Sequence, residues 1–243
     1  MKKHKLPVKA YKNLEFLISR EARVIRILSE YLEPLKRLRD FKINNTVLFF
    51  GSARINPKNS DSKLIPYYKE AEELAFKLAK WAIDLKKNGK NFVICTGGGG
   101  GFMEAANKGA SKAGGKSIGM NISLPKEQHP NLYISPELGF EFHYFFMRKF
   151  WLAYKARAII AFPGGFGTLD EIFEILTLVQ TEKICKDDIY IMLYGEKYWR
   201  EIVDFEALVK YKTISRKDLD LFHFSSDPED AFLILKKNLI KHL

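Results

Sequence analysis

The chain has almost no cysteine. Two stand among its 243 residues, Cys95 and Cys185, far apart and without the close spacing of metal ligands. That excludes a disulfide-stapled scaffold and a cysteine-based zinc site. Both are expected as reduced thiols in or near the core. Long apolar runs are missing too: none approaches the ~18 residues that a membrane span needs. The start, Met1-Lys2-Lys3-His4-Lys5-Leu6-Pro7, is basic with no apolar stretch behind it, which predicts no secretory signal. A cytoplasmic location without membrane contact is the resulting expectation.

Acidic charge is also short. The net charge is +11, and a surplus of that size raises the question of nucleic acid. Its distribution argues against that partner. Residues 1–42 hold twelve Lys/Arg against five Asp/Glu, a surplus of +7, and the remaining residues carry only +4. A mildly basic body suits the binding of a small anion, and a basic arm is most simply a solvated helix face.

What is present is an alternation of short apolar runs with helix-like stretches. Residues 11–40 repeat Leu14, Ile18, Ile25, Leu28, Leu32 and Leu35 at intervals of three and four, the pattern of an amphipathic helix. That stripe is expected to pack on the domain or on a second subunit. Pro34 should end or kink the helix near Glu33. Apolar runs at 47–50, 92–95, 117–122, 156–162, 189–193 and 221–224 read as strands. Helices are expected at about 61–87 (capped by Ser60-Asp61 and ended by Asn88-Gly89), 102–113, 142–154, from Thr168 to 180, 197–210 and 228–241. Residues 123–140 read as an irregular loop with room for one short strand. Continuous apolar strands between helices predict an α/β fold, a parallel sheet covered on both faces. The expected organisation is an N-terminal helical extension, residues 1–42, before one nucleotide-binding domain, residues 43–243.

Three of these strands run into small-residue turns: Gly51-Ser52-Ala53-Arg54, Gly97 to Gly101, and Pro163-Gly164-Gly165-Phe166-Gly167-Thr168-Leu169-Asp170-Glu171. Glycine lets a backbone turn sharply and approach a ligand. A helix N-terminus offers an anion free N–H groups and partial positive charge. Phosphate binding is therefore expected at the third turn, with Glu171 beside it. The P-loop signature is absent, because Gly101 is followed by Phe102-Met103-Glu104 and no lysine. A dinucleotide fingerprint is absent as well: no register of Gly97 to Gly101 places Gly or Ala at its last position. Asn121 stands where a ribose-binding acid would be expected. A nucleoside monophosphate or a sugar phosphate fits these turns better than ATP or NAD.

Taken together, the PGGxGTxxE pattern at 163–171, Arg148-Lys149 fifteen residues upstream of it, GGGGGFMEAANKGA at 97–110 and Gly51-Ser52-Ala53-Arg54 resemble the Lonely Guy (LOG) family of nucleotide phosphoribohydrolases. The resemblance spans roughly residues 46–195. It implies a Rossmann-like, doubly wound sheet without a dinucleotide and without any cofactor. It implies hydrolysis of the N-glycosidic bond of a nucleoside 5′-monophosphate, releasing free base and ribose 5-phosphate, and a homo-oligomer of at least two subunits. By position, Arg148 and Glu171 match the catalytic pair. Lys149 matches the lysine beside that arginine, and Gly164, Gly165, Gly167 and Thr168 match the phosphate loop. Gly51, Ser52, Gly98 and Gly99 are the expected substrate contacts of the other two turns. Phe145 stands where plant-type members carry Met, and Glu104 where they carry Gly. These departures resemble the larger bacterial branch and make a purine nucleotide such as AMP at least as good a candidate as a cytokinin riboside monophosphate. Members have often been labelled lysine decarboxylases, but no pyridoxal-phosphate anchor can be picked out here. The alternative on the same fold is a non-catalytic binder of a nucleotide or of molybdenum cofactor. Glu171 has a second reading too. Thr168-x-x-Glu171 fits a capping box, in which Thr168 would be the N-cap and Glu171 would reach back to it.

Overall fold

The computed structural model describes residues 7–57, 62–86, 90–124 and 129–242. The expected Ser60-Asp61 cap and the Asn88-Gly89 stop lie outside the described residues. In chain order the elements are α1 (Leu14–Ile18), α2 (Arg23–Asp40), β1 (Thr46–Phe50), α3 (Ile65–Lys86), β2 (Val93–Thr96), α4 (Phe102–Lys112), β3 (Ser117–Ile122), β4 (Gly139–Phe142), α5 (Phe145–Tyr154), β5 (Ala156–Ala161), α6 (Phe166–Gln180), β6 (Tyr190–Tyr194), α7 (Glu196–Ile202), α8 (Phe205–Lys210), β7 (His223–Ser225) and α9 (Pro228–Leu239).

The seven strands form one sheet in the order β4-β3-β2-β1-β5-β6-β7, and every pairing is parallel. This is the doubly wound α/β architecture. Its order reverses at β1, whose neighbours are β2 and β5, and ligands collect at such a switch point beyond the strand ends. The inner strands are apolar on both sides because helices cover both faces. In β1, Leu48 and Phe50 face one core with Trp151 of α5 and Ile172 of α6. Val47 and Phe49 face the other, with Leu74 and Leu78 of α3, Phe102 of α4 and Leu235 of α9. The edge strands β4 and β7 are short and partly exposed, as edges that must not pair with other chains usually are.

Four expectations are corrected. The amphipathic stretch 11–40 is broken: α1 ends at Ile18, and α2 runs from Arg23 to Asp40 with Pro34 inside it, so Pro34 does not end the helix. Proline at 34 cannot donate to the carbonyl of Glu30, the bond an ordinary residue would make. That carbonyl instead accepts a 2.9 Å hydrogen bond from the indole Nε1 of Trp151. The polar debt of the proline is met from another helix, so α2 continues. Second, the stretch 142–154 is split: Phe142 ends β4, and α5 starts at Phe145. Third, 197–210 is two helices. Asp204 interrupts them because its carboxylate caps α8, accepting from Ala207 N at 2.9 Å. Fourth, Cys95 is buried as expected, but Cys185 is exposed.

The stripe on the N-terminal helices divides. Leu35 packs against the core together with Ile27 and Tyr31, while Ile25, Leu28 and Leu32 remain exposed.

Candidate active site

The three turns stand side by side at the carboxyl ends of β2, β1 and β5. Backbone hydrogen bonds join them. Ser52 N donates to Pro163 O at 3.0 Å, and Phe102 N donates to Ser52 O at 3.2 Å. Ser52 thus ties the first turn to both others, and its Oγ accepts from Arg54 N. Gly51 lies so near Phe102 that a methyl group there would meet the ring at 2.6 Å. Beneath the turns Phe102, Phe162 and Tyr194 stack in sequence.

The second turn is closed and internally braced. Gly98 and Gly101 have φ of +77° and +62°, conformations that favour glycine. A side chain on Gly101 would strike Ser52 O at 2.1 Å, and one on Gly98 would strike the Asn121 amide at 2.3 Å. Asn121 is thus occupied beneath the turn. Thr96 Oγ1 accepts from Gly98 N and donates to Asn107 Oδ1. Asn107 reaches Ser117 and Ile118 of β3. Asn131 donates to Gly98 O, Gly99 O and Asn107 Oδ1. Thr96, Asn107 and Asn131 were not singled out from sequence. Asn107 carried a signal, a polar residue on the apolar face of α4 beside Ala106 and Ala110. Asn131, in a loop, carried none.

The third turn is open. Among the described residues, and apart from the adjoining backbone, nothing lies within 4 Å of where a Cβ would stand on Gly165 or Gly167, whereas one on Gly164 would meet Thr168. Phe166 between them is 92% exposed. From the carbonyl side Tyr198 Oη donates to Gly164 O at 2.8 Å and holds the turn on α7. The helix begins at Phe166 with Gly165 as N-cap, and no side chain caps it. Its first N–H groups therefore have no acceptor within the helix. This corrects the capping-box reading. Thr168 is the third residue of α6, buried, and Glu171 lies nearly a turn further on, beyond reach of a capping role.

Glu171 faces Arg148 instead. Arg148 Nη2 donates to Glu171 Oε1 at 3.1 Å, and the two side chains are 12% and 14% exposed. The guanidinium also lies against Gly97, where a methyl group would be 2.6 Å from Nη2 and 2.8 Å from Met103 Sδ. Arg148 therefore joins the second turn to the helix of the third. Its Nε is buried without a partner among the described residues. Burial lifts the Glu171 carboxyl to a pKa of about 7. Arg148 and Lys149 pull it down, and Asp170 and Glu174 push it up. Cys95 beneath is pushed by burial to about 12, so it stays a neutral thiol beside Arg148.

Lys149 is spoken for. Its ammonium pairs with Asp170 at 2.7 Å and Glu174 at 3.0 Å on α6. Burial acts to lower its pKa, but these hydrogen bonds outweigh it and raise the value. Glu104, in the first turn of α4, accepts from Tyr68 Oη at 3.1 Å. No group of metal-ligating side chains is found among the described residues. No described helix is long and apolar enough to cross a membrane.

A family model described as "Possible lysine decarboxylase" matches residues 103–235, more than half of the chain. No curated protein matches. Among solved structures, the crystal structure of TM1055, a structural-genomics target, superposes with a TM-score of 0.56 at 21% identity, covering 79% of this chain and 99% of that one. The Moco carrier protein from Chlamydomonas reinhardtii gives 0.53 at 21% identity, over 82% and 99% of the two chains. At such identities these likenesses show the fold alone.

Proposed function

This chain belongs to the family whose model is described as "Possible lysine decarboxylase", the LOG-like proteins, and we propose that it hydrolyses the N-glycosidic bond of a nucleoside 5′-monophosphate. The observation that carries the reading is the buried Arg148–Glu171 pair, set between the closed second turn and the open third turn. In this reading the 5′-phosphate docks on the free N–H groups at the start of α6, where Gly165 and Gly167 leave room for it. Gly51, Ser52, Gly98 and Gly99 shape the wall that receives the sugar and base. Thr168 and Gly164 hold the form of the phosphate turn.

Breaking the C1′–N bond leaves positive charge on the ribose ring and sends both bonding electrons to the base. Glu171, ionised, stabilises that ring charge and orients a water, whose oxygen bonds to C1′ while its proton passes to the carboxylate. Solvent supplies the proton that neutralises the departing base. Arg148 contributes a guanidinium that binds the phosphate or the base as charge develops. Lys149 acts through its two carboxylate partners, fixing α5 against α6, and is a positioning residue. A pKa of about 7 for Glu171 implies turnover that falls as pH drops below that value.

Decarboxylation of lysine is not supported by this site. That chemistry needs pyridoxal phosphate held as an imine on a neutral lysine. Lys149, the lysine adjoining the site, is engaged by two carboxylates that keep it charged. The competing reading is a non-catalytic binder of a nucleotide or of molybdenum cofactor on the same turns. A buried carboxylate poised near neutrality serves hydrolysis and has no evident use in such a carrier. We also propose that a second copy covers the exposed Ile25, Leu28 and Leu32 of α2 together with Phe145, Phe146 and Tyr154 of α5.

The test is product analysis by chromatography after incubation with AMP, GMP, CMP, UMP and a cytokinin riboside monophosphate. Free base from one or more, reduced ~100-fold or further in a folded Glu171→Gln, is expected. Equal release by the variant would remove Glu171 from the chemistry. No release by the folded wild type would favour the binder.

A further inference from the structure

The helix that carries Arg148 is held by contacts that come from outside the catalytic domain. Helix α5 has no acidic residue in its own first turn, and its N-cap, Tyr144, makes no side-chain cap. The carboxylate of Glu30, from the middle of α2, takes that place. Its Oε1 accepts from His143 N at 2.8 Å and its Oε2 from Tyr144 N at 3.2 Å. One residue thus satisfies two amides and sets a negative charge at the positive end of α5. The backbone of the same residue makes a third contact: Glu30 O, freed by Pro34, accepts from Trp151 Nε1. Trp151 is fully buried and stands three residues beyond Arg148, on the next turn. Tyr31 adds ring contacts to Phe150 and Trp151 at 5.7 Å each. Further along α2, Arg37 donates to Gly139 O of β4 at 2.6 Å. The extension therefore grips the β4–α5 junction and the middle of α5, on either side of Arg148.

We propose that α2 is a positioning element of the active site, with Glu30 as the residue that sets where α5, and hence Arg148, stands relative to Glu171. Apolar contacts of Ile27, Tyr31 and Leu35 brace α2 along its length. What exceeds bracing is at Glu30. Here three hydrogen bonds converge on one residue, and a proline inside α2 is tolerated at the position that leaves Glu30 O free for Trp151. The consequence is that the N-terminal segment tunes turnover without touching substrate.

The groups facing Glu171 are Arg148 and Lys149 on α5 and Asp170 and Glu174 on its own helix. If α5 shifts, Arg148 withdraws and the Glu171 carboxyl becomes harder to ionise. The direction is diagnostic. Deleting the Glu30 charge alone would, by simple electrostatics, make Glu171 easier to ionise. With the burial of Glu171 unchanged, an upward shift therefore reports displacement of the cations.

The experiment uses the full chain as Glu30→Ala and Glu30→Gln. Glu171 is titrated by NMR on protein carrying ¹³C-labelled glutamate, its signal assigned with Glu171→Gln. Turnover of AMP is measured alongside. Expected in Glu30→Ala are a Glu171 midpoint raised by about half a pH unit or more, kcat down about fivefold or more and KM within about twofold. Glu30→Gln, which keeps one acceptor, should recover most of both. A lower melting temperature with an unmoved Glu171 midpoint would overturn the proposal and leave α2 as a brace. If Glu30→Ala does not fold, Glu30→Gln decides by the same midpoint. The turnover arm rests on the hydrolase reading and the NMR arm does not. A wild type without turnover but with a midpoint that moves would fail that reading and keep this one.

Discussion

The second and third turns are both rich in glycine, yet they use it for opposite purposes. In the second, glycine is required by what already surrounds it: Gly98 and Gly101 sit at positive φ, and a side chain on Gly101 would strike a carbonyl at 2.1 Å. Side chains of Thr96, Asn107 and Asn131 then lock the loop. In the third, no described residue beyond the adjoining backbone comes within 4 Å of a Cβ on Gly165 or Gly167, and no side chain caps the helix they begin. Glycine there is a space kept open. The contrast teaches that a glycine run does not by itself mark a ligand site. The question is whether protein or nothing fills the volume of the missing side chain.

The largest expected effect breaks the closed turn. Gly101→Ala should lose about 2–4 kcal/mol of stability, because a left-handed φ and a backbone clash coincide there. Thermal denaturation reads this, and an unchanged melting temperature would show that the turn is not locked.

Next comes the carboxylate between the turns. The folded protein holds Glu171 near a pKa of about 7, against 4.5 for an ordinary glutamate. Its ionisation is thus easier in the unfolded chain. Its contribution is fully present below 4.5 and is lost as pH climbs to 7. Relative to Glu171→Gln, the wild type should lose about 1–3 kcal/mol over that window and no more above it. The fixed charge of Arg148 cancels from this slope. A pH-independent difference between the two proteins would mean that Glu171 titrates normally.

The smallest effect on the fold carries the sharpest contrast. Gly167→Ala places alanine in the first turn of a helix with space around it. It should raise stability by about 0.5–1 kcal/mol. The same methyl group would occupy the volume assigned to the phosphate and should weaken AMP binding about tenfold or more. Calorimetric affinity beside a melting curve checks both signs. A stabilised protein with undiminished affinity would show that the open volume is unused.

Much of this was readable in the chain. Continuous apolar runs such as 117–122 and 156–162 announced buried parallel strands, and the three small-residue turns fell where the sheet order reverses. What was not readable depends on partners distant in sequence. Pro34 looked like a helix end because its compensating donor, Trp151, lies on another helix. Thr168 and Glu171 matched a capping box because the pattern does not reveal that the helix starts two residues earlier, at Phe166. The helix-like stretch 197–210 concealed a cap at Asp204. Asn131 sits in a loop where an asparagine has many uses, and only the fold shows that it grips Gly98 and Gly99.

The most direct measurement is the crystal structure of Glu171→Gln with AMP bound. The account predicts the phosphate on the backbone N–H groups of Phe166, Gly167 and Thr168, with C1′ beside the side chain of residue 171. A phosphate seated on the second turn, or a ribose remote from residue 171, would contradict it.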